Sequence, residues 1–591
     1  MIKSRIQFVG NRPMISINGE LRSPIAYTTY FHECGQWSDF IKSGHKMFFV
    51  NVSFTDLPIN NTSGFSPFRT GVFDTDVPDY SAFDETVRRI VAECPDALIF
   101  PRINIAMPRK WIVEHPYETV ATPCGNRESL ISDVFLNDGS KLLRELLFHI
   151  RTAEFCDRIA GYQLCGGTTQ EWFPHDLFGS YSEMGMEKFK KWAFENHGIC
   201  NIKAPERNDF ESGINTDEIV KYYEFCNELI SKTVEHFARV TKECINHEQI
   251  VGVFYGYNGF VNDALWATHG LRHIIDSPYI DFFSSPCAYD DTRKLGLDWG
   301  DMIPVDSIKH HGKLCFIECD IRTHLTKRMQ DSRPGEYADD ILKLTFPDGR
   351  KTVWSGPDTL EASLSAIRKT FAHQLAKGSG IWWFDMWGGW YHHPEIMNEL
   401  KSIREVFESA MGSNVSEVVL FIDERAYTNI PRGSHLSNAV NNIRVALGNT
   451  GVPFDTYMVE DAKDIIDRYK FVIFSAPIPS TVGLDAMALC KEMKIPYICA
   501  TEDKISFDTN ELRDIFIANG VHCYNENNSV IYRGNGILGI HTKNDKETSI
   551  TLPKKCKIKP LFKTYTTEQE TDIIHLSVPE HSTLIYQTDD I

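Results

Sequence analysis

The chain has 591 residues, 42% of them hydrophobic and 24% charged, and carries a net charge of −19. That length calls for two to four domains, and the composition is that of a soluble globular protein, which excludes disordered and fibrous classes. The acidic balance, with no cluster of Lys and Arg, excludes nucleic acid as a partner.

Eight short apolar runs occupy residues 24–28, 46–51, 97–102, 161–164, 250–255, 280–283, 313–317 and 380–384. Their hydrophobicity is continuous rather than alternating, so both faces of each strand are expected to be buried, as in a parallel sheet. Amphipathic stretches such as 181–197, 216–245 and 360–377 lie between them. Eight strands with intervening helices predict a (β/α)8 TIM barrel over residues 1–410. An open doubly wound sheet would show a glycine-rich turn after its first strand, and Tyr27-Thr28-Thr29-Tyr30-Phe31 has none. The pattern restarts near Ala410-Met411-Gly412-Ser413-Asn414. Runs at 418–422, 454–457, 471–474 and 496–499 and a helix over 437–448 predict a flavodoxin-like α/β domain over 411–525, read as an assembly surface. Short β-rich runs from 526 to 591 predict a small C-terminal antiparallel β domain.

The stretch 161–173 draws attention first. A strand, Gly161-Tyr162-Gln163-Leu164, enters the glycine-rich turn Cys165-Gly166-Gly167-Thr168-Thr169-Gln170 and then presents Glu171 beside Trp172 and Phe173. A carboxyl group among apolar rings is poorly solvated when ionised, so its pKa rises toward the range of a general acid. In a barrel of this kind, function sits at the carboxyl ends of the strands. Those ends supply His32, Arg102, Asn104, Glu171, Trp172, Tyr257, Tyr289, Glu318, Asp320, Arg322, His324, Asp385 and Trp387, with Trp382-Trp383 on the last strand. Glu171 and Glu318 end the fourth and seventh strands, on opposite sides of one mouth, where two carboxyl groups can flank a glycosidic bond. Trp172, Trp383 and Trp387 are expected to stack on sugar rings, and Asp385 to grip hydroxyl groups; only one of Trp382 and Trp383 can face the axis. His32, Arg102, Asn104, Tyr257, Arg322 and His324 are expected to contact substrate.

Glutamates after strands four and seven with an aromatic eighth strand resemble the clan of retaining glycoside hydrolases built on this barrel. The opening Ile17-Asn18-Gly19-Glu20 and the segment from Tyr181-Ser182-Glu183 through Phe189-Lys190-Lys191-Trp192 to Asn196-His197-Gly198 are similar to family 42, the β-galactosidases, as is the order of the three domains. The resemblance implies that Glu318 is the nucleophile, hydrogen-bonded by Tyr289, that Glu171 is the acid/base, and that the protein is a homotrimer. Family 42 places an Asn-Glu pair directly at the end of strand four, whereas here Gly166 to Gln170 intervene, and that family's cysteine metal cluster is absent. Family 164, a β-mannosidase family of the same design, is resembled equally. The expected function is a retaining exo-β-glycosidase acting on a terminal mannose or galactose; a non-catalytic carbohydrate-binding barrel is the alternative.

The fifteen cysteines are scattered, odd in number and without a Cys-x-x-Cys pair, which argues for reduced thiols. The adjacent pairs His310-His311 and His392-His393 lack a third ligand placed nearby, so no metal is expected, and no cofactor. No run approaches the length of a membrane span and the amino terminus lacks an apolar signal core, so a cytoplasmic protein is expected, with no membrane partner.

Overall fold

The computed structural model describes residues 2–176, 183–259, 263–289, 293–338, 341–410, 416–544, 547–562 and 567–588. Tyr181 and Ser182 of the family-like segment, and Met411 to Asn414 at the expected boundary, lie outside the described residues. All eight apolar runs become barrel strands: β1 (Ile25–Thr28), β2 (Met47–Ser53), β3 (Leu98–Ile105), β4 (Gly161–Gly166), β5 (Ile250–Phe254), β6 (Phe282–Pro286), β7 (Leu314–Cys319) and β8 (Gly380–Phe384). They are parallel neighbours in sequence order, and β8 pairs with β1 to close the barrel.

Side chains alternate across each strand, which decides what fills the barrel and what faces the helices. Phe49, Phe100, Phe254, Phe282, Phe316 and Trp382 turn inward and pack together, with Phe49 4.9 Å from both Phe100 and Trp382. Ile99, Leu164, Val253, Ile317 and Trp383 turn outward into the layer beneath the helices. Glu318 is two residues beyond inward-facing Phe316, so the same alternation aims it into the mouth. The longest helices of the outer layer are α1 (Asp133–Thr152), α2 (Asp217–Cys244) and α3 (Leu360–Lys377). The last is bounded by ordinary capping chemistry: the Thr359 hydroxyl accepts from the Ala362 amide, and Gly378 takes the left-handed conformation at φ 73° that a side chain resists.

Among the described residues, strand β7 is followed, before α3, by only one short helix, Met329–Ser332. The long irregular segments after β2, β4, β6 and β7 leave the carboxyl face of the barrel ringed by loops. An antiparallel sheet over Ser4–Val9, Arg12–Ile17 and Glu20–Arg22 precedes the barrel, a unit that the reading of apolar runs does not contain. The family-like Asn18-Gly19 is its second turn, with φ of 50° and 92°, as a tight hairpin requires.

Beyond the barrel, β9 (Val418–Ile422), β10 (Phe454–Met458), β11 (Phe471–Ser475) and β12 (Tyr497–Cys499) form a parallel sheet in the order β10-β9-β11-β12. Glu424, just after β9, is fully buried and accepts from the Asn258 side chain at 2.8 Å and from the Leu271 amide at 3.1 Å, both in the loop that follows β5. Five antiparallel strands between Val530 and Thr588 complete the chain. They dock on α3, where the Tyr532 ring stacks on His373 at 4.8 Å and its hydroxyl donates to Asp298 at 2.6 Å.

Candidate active site

The loop after β4 departs from the strand and comes back to it. Gly167, Thr169, Gln170 and Trp172 all have positive φ, between 56° and 74°, and three of these are residues for which that conformation costs energy. The Trp172 amide donates to the Gly166 carbonyl at 2.7 Å and the Thr168 amide to the Phe173 carbonyl at 2.9 Å. Glu171 is thereby bridged to Gly166, the last residue of β4. The inserted residues are a closed excursion that returns the carboxyl group to the strand end. Gly166 makes the return possible, because a Cβ there would sit 2.6 Å from the Trp172 ring.

The loop after β2 holds the excursion in place. The Thr169 amide donates to the Ile59 carbonyl at 2.6 Å, and Asn61 reaches the His175 ring at 2.9 Å. On its other side His175 meets Glu128 at 3.0 Å, and Glu128 pairs with Arg127 at 3.3 Å, all essentially without exposure. Burial alone would raise the Glu128 carboxyl, but Arg127 and His175 hold it at about 2. Burial keeps His175 below its usual value, so the charge of Glu128 is balanced chiefly by Arg127. Glu128→Gln is expected to destabilise the fold by roughly 3 kcal/mol by leaving Arg127 buried and unpaired. Because the folded-state value is depressed, this contribution is present above the unfolded carboxylate range and is lost as pH falls through about 2. Thermal denaturation of both proteins between pH 3 and 7 checks it: equal midpoints at pH 7 would refute the role.

Glu171 is largely buried and Glu318 is 3% exposed. Burial, with the nearby Glu318, pushes the Glu171 carboxyl well above the usual range, while Arg102 and the Tyr257 hydroxyl pull the other way. Thr169 donates its hydroxyl to Glu171. Burial and Asp320 push Glu318 up to about 8 against Arg102, Arg293 and Arg322. The Tyr289 hydroxyl lies 3.4 Å from Glu318 and donates to Asp320. Asp320 also meets Arg293 at 2.7 Å and Arg322 at 2.5 Å. Arg102 lies inside the barrel under this cluster, fully buried, with its guanidinium 5.0 Å from the rings of Phe254 and Trp382.

The candidate residues divide by location. Arg102, Tyr257, Tyr289 and Arg322 surround the two glutamates. Asn104 is buried, donates to Ser53 at 2.9 Å and leaves its carbonyl oxygen without a partner. Trp387 lies over the mouth with Tyr30, Phe65 and Trp354. His32 lines a neighbouring cleft of about 430 Å3 together with Tyr30, Asn51, Arg69 and Arg333.

Four expectations need correction. Trp172 points away from the mouth: its ring stacks on Phe237 of α2 at 5.9 Å, and its ring nitrogen donates to the Leu164 carbonyl. Trp383 faces the helices against Tyr391, and Trp382 is the inward member of the pair. Asp385 caps the turn after β8, with both oxygens taken by the amides of Gly389 and Trp390 and by Tyr27, so it has no oxygen turned to a ligand. His324 engages Ser363 and the ring of His393.

Sequence reasoning placed Asp320 at the end of the seventh strand without giving it a role, and passed over Arg293, Tyr30 and Trp354. Arg293 and Trp354 come from irregular loops that carry no periodic signal.

No family model matches this chain, and no curated protein does. Among solved structures, a β-galactosidase from Rahnella sp. R3 superposes with a TM-score of 0.63 at 10% identity, covering 99% of this chain and 100% of that one. A β-galactosidase from Bacillus circulans sp. alkalophilus gives 0.60 at 10% identity over 96% and 99% of the two chains. An exo-carrageenase of glycoside hydrolase family 42 from Bacteroides ovatus gives 0.59 at 12% identity over 99% and 85%. Over nearly its whole length the chain therefore has the fold of the β-galactosidases and of a family 42 glycoside hydrolase.

Proposed function

We propose that the protein is a retaining exo-β-glycosidase that removes a terminal β-linked hexose, galactose or mannose, from an oligosaccharide or glycoside. The observation that carries this reading is the pairing of two carboxyl groups in different surroundings at the ends of β4 and β7. Glu171 is desolvated and feels the charge of Glu318, which favours a proton on it; Glu318 lies in the field of three guanidinium groups, which favour its ionised form. Glu318 attacks the anomeric carbon and forms a glycosyl ester while Glu171 gives its proton to the departing oxygen. A water then gives a proton to the Glu171 carboxylate and attacks the same carbon, which frees Glu318 and leaves the sugar with its original configuration. Trp387 and Tyr30 offer ring faces to the sugar. The trimer that the family resemblance implies belongs to the same proposal. So does a cytoplasmic location; among the described residues no helix is long and apolar enough to cross a membrane.

The test is a panel of 4-nitrophenyl β-glycosides, including galactoside and mannoside, with the first-formed sugar followed by proton NMR. Steady release of nitrophenol with the β-anomer appearing first is expected. Saturable binding without release would favour the carbohydrate-binding barrel, and an α-anomer appearing first would exclude retention.

A further inference from the structure

The guanidinium of Arg322 uses only part of its binding capacity. Nη1 donates to the Asp320 carboxylate at 2.5 Å and to the Asp320 carbonyl at 2.8 Å. Nε and Nη2 form the other edge of the group. Both are buried and have no hydrogen-bond partner, in a side chain only 5% exposed. That edge carries two parallel N–H bonds, the arrangement that matches two oxygens of a carboxylate or a sulfate. The rings of Trp354, Trp390 and Tyr289 surround the group with centroids at 4.8, 5.3 and 5.4 Å and fix its plane. The Trp390 ring, packed against the same guanidinium, also carries a buried ring nitrogen without an acceptor. A buried donor left without an acceptor is costly.

The charges around the mouth point the same way. Among the described residues of the cluster, Arg102, Arg293 and Arg322 contribute three positive charges, and Glu318 and Asp320, when ionised, two negative ones. When Glu171 holds the proton that an acid must carry, these residues keep one positive charge in excess. The side chains of the three arginines, Glu318 and Asp320 are at most 7% exposed, so solvent does little to offset that charge. In a chain of net charge −19, a buried positive excess at the carboxyl face of the barrel is a local arrangement, not an average property.

We propose that the substrate carries an anionic group, a carboxylate or a sulfate ester, on the sugar bound at or beside the scissile bond, and that the Nε/Nη2 edge of Arg322 receives it. This rests on the glycosidase reading and names its substrate class as acidic sugars rather than neutral hexoses. The Trp354 ring, on the long segment after β7, lies against the guanidinium with its centroid 4.8 Å away.

The experiment compares matched 4-nitrophenyl β-glycosides that are neutral (galactoside, mannoside), carboxylated (galacturonide, glucuronide) or sulfated (galactoside 6-sulfate). The wild-type enzyme should turn over one charged class with kcat/KM about tenfold to a hundredfold above its neutral counterpart; which class responds separates carboxylate from sulfate. In Arg322→Gln that ratio should collapse toward one, and Arg322→Lys, which keeps the charge but not the two-pronged edge, should recover only part of it. Neutral glycosides turned over as fast as charged ones, or both classes falling equally in Arg322→Gln, would overturn the inference and leave the glycosidase reading intact. If no glycoside is turned over, the glycosidase reading fails, and calorimetry with galacturonate, galactose 6-sulfate and galactose decides the receptor on its own. Tighter binding of an acidic sugar supports it, and equal or absent binding refutes it. The wild-type preference needs no variant, so misfolding of a substituted protein does not blunt the test.

Discussion

Glu318→Ala is expected to lower kcat by on the order of 10^4-fold or more, because on the proposed mechanism it removes the group that forms the covalent intermediate. The fold should survive, since Glu318 lies in the mouth and makes only a long contact with Tyr289. The truncated side chain leaves space beside the anomeric carbon, and Arg102, Arg293 and Arg322, which oppose the upward shift of Glu318 in the intact site, remain to attract a small anion. Added azide should therefore restore turnover and yield an α-glycosyl azide from an activated β-glycoside, the inverted product of a single displacement. Full activity without azide would remove Glu318 from the mechanism. Azide rescue giving a β-glycosyl azide would mean that the nucleophile is intact and that Glu318 serves as the acid/base.

Glu171→Ala should divide substrates by their leaving groups. On glycosides with poor leaving groups the loss should reach about 10^2- to 10^4-fold, the usual range for general acid catalysis, whereas a 2,4-dinitrophenyl glycoside, which departs without a proton, should lose far less in its first step. The pH profile gives a second measure. The Glu171 carboxyl stands well above its ordinary range because it is desolvated and feels the charge of Glu318. Its protonated form persists to higher pH than that of an ordinary carboxyl group, and the rate should fall as pH rises through its folded-state value. Glu318 must be ionised, and with its carboxyl pushed to about 8 by burial and Asp320 the acid limb of kcat/KM should lie above the usual carboxylate range. In Glu171→Gln the alkaline limb should vanish on substrates with poor leaving groups. An alkaline limb that survives, or equal losses on both leaving groups, would assign the acid role elsewhere.

The barrel was legible because a parallel strand buried on both faces must be apolar throughout, and eight such runs stand out from helices that alternate by thirds and fourths. Glu318 was legible for a related reason, since the parity of β7 continues past Phe316. The misread residues failed at the same point. Trp172 and Trp383 adjoin true mouth residues in sequence, but adjacency says nothing about which face of a strand or turn a ring takes, and both rings were drawn to the larger apolar surface under the helices. Asp385 looked like a hydroxyl ligand because a carboxylate at a strand end has two free oxygens on paper; the turn after β8 uses both. The Gly166–Gln170 insertion read as a change in how the acid approaches the site. Its backbone instead folds out and back, a path that depends on hydrogen bonds to Ile59 and on the room left by Gly166, neither of which periodicity can report. Arg293 and Trp354 belong to long loops whose positions depend on tertiary contacts alone.

Glu424 bears on what counts as the smallest working unit of this molecule. It lies in the α/β domain, yet its carboxylate satisfies the side chain of Asn258 and the amide of Leu271 on the barrel's own β5 loop, the loop that carries Tyr257 to Glu171. Cutting the chain after the barrel would strip these two buried polar groups of their partner in one stroke and release the wall of the mouth. The second domain is in that sense a missing loop-clamp supplied from outside the barrel, and an excised barrel would inherit the paired carboxyl groups without the means to hold their surroundings still.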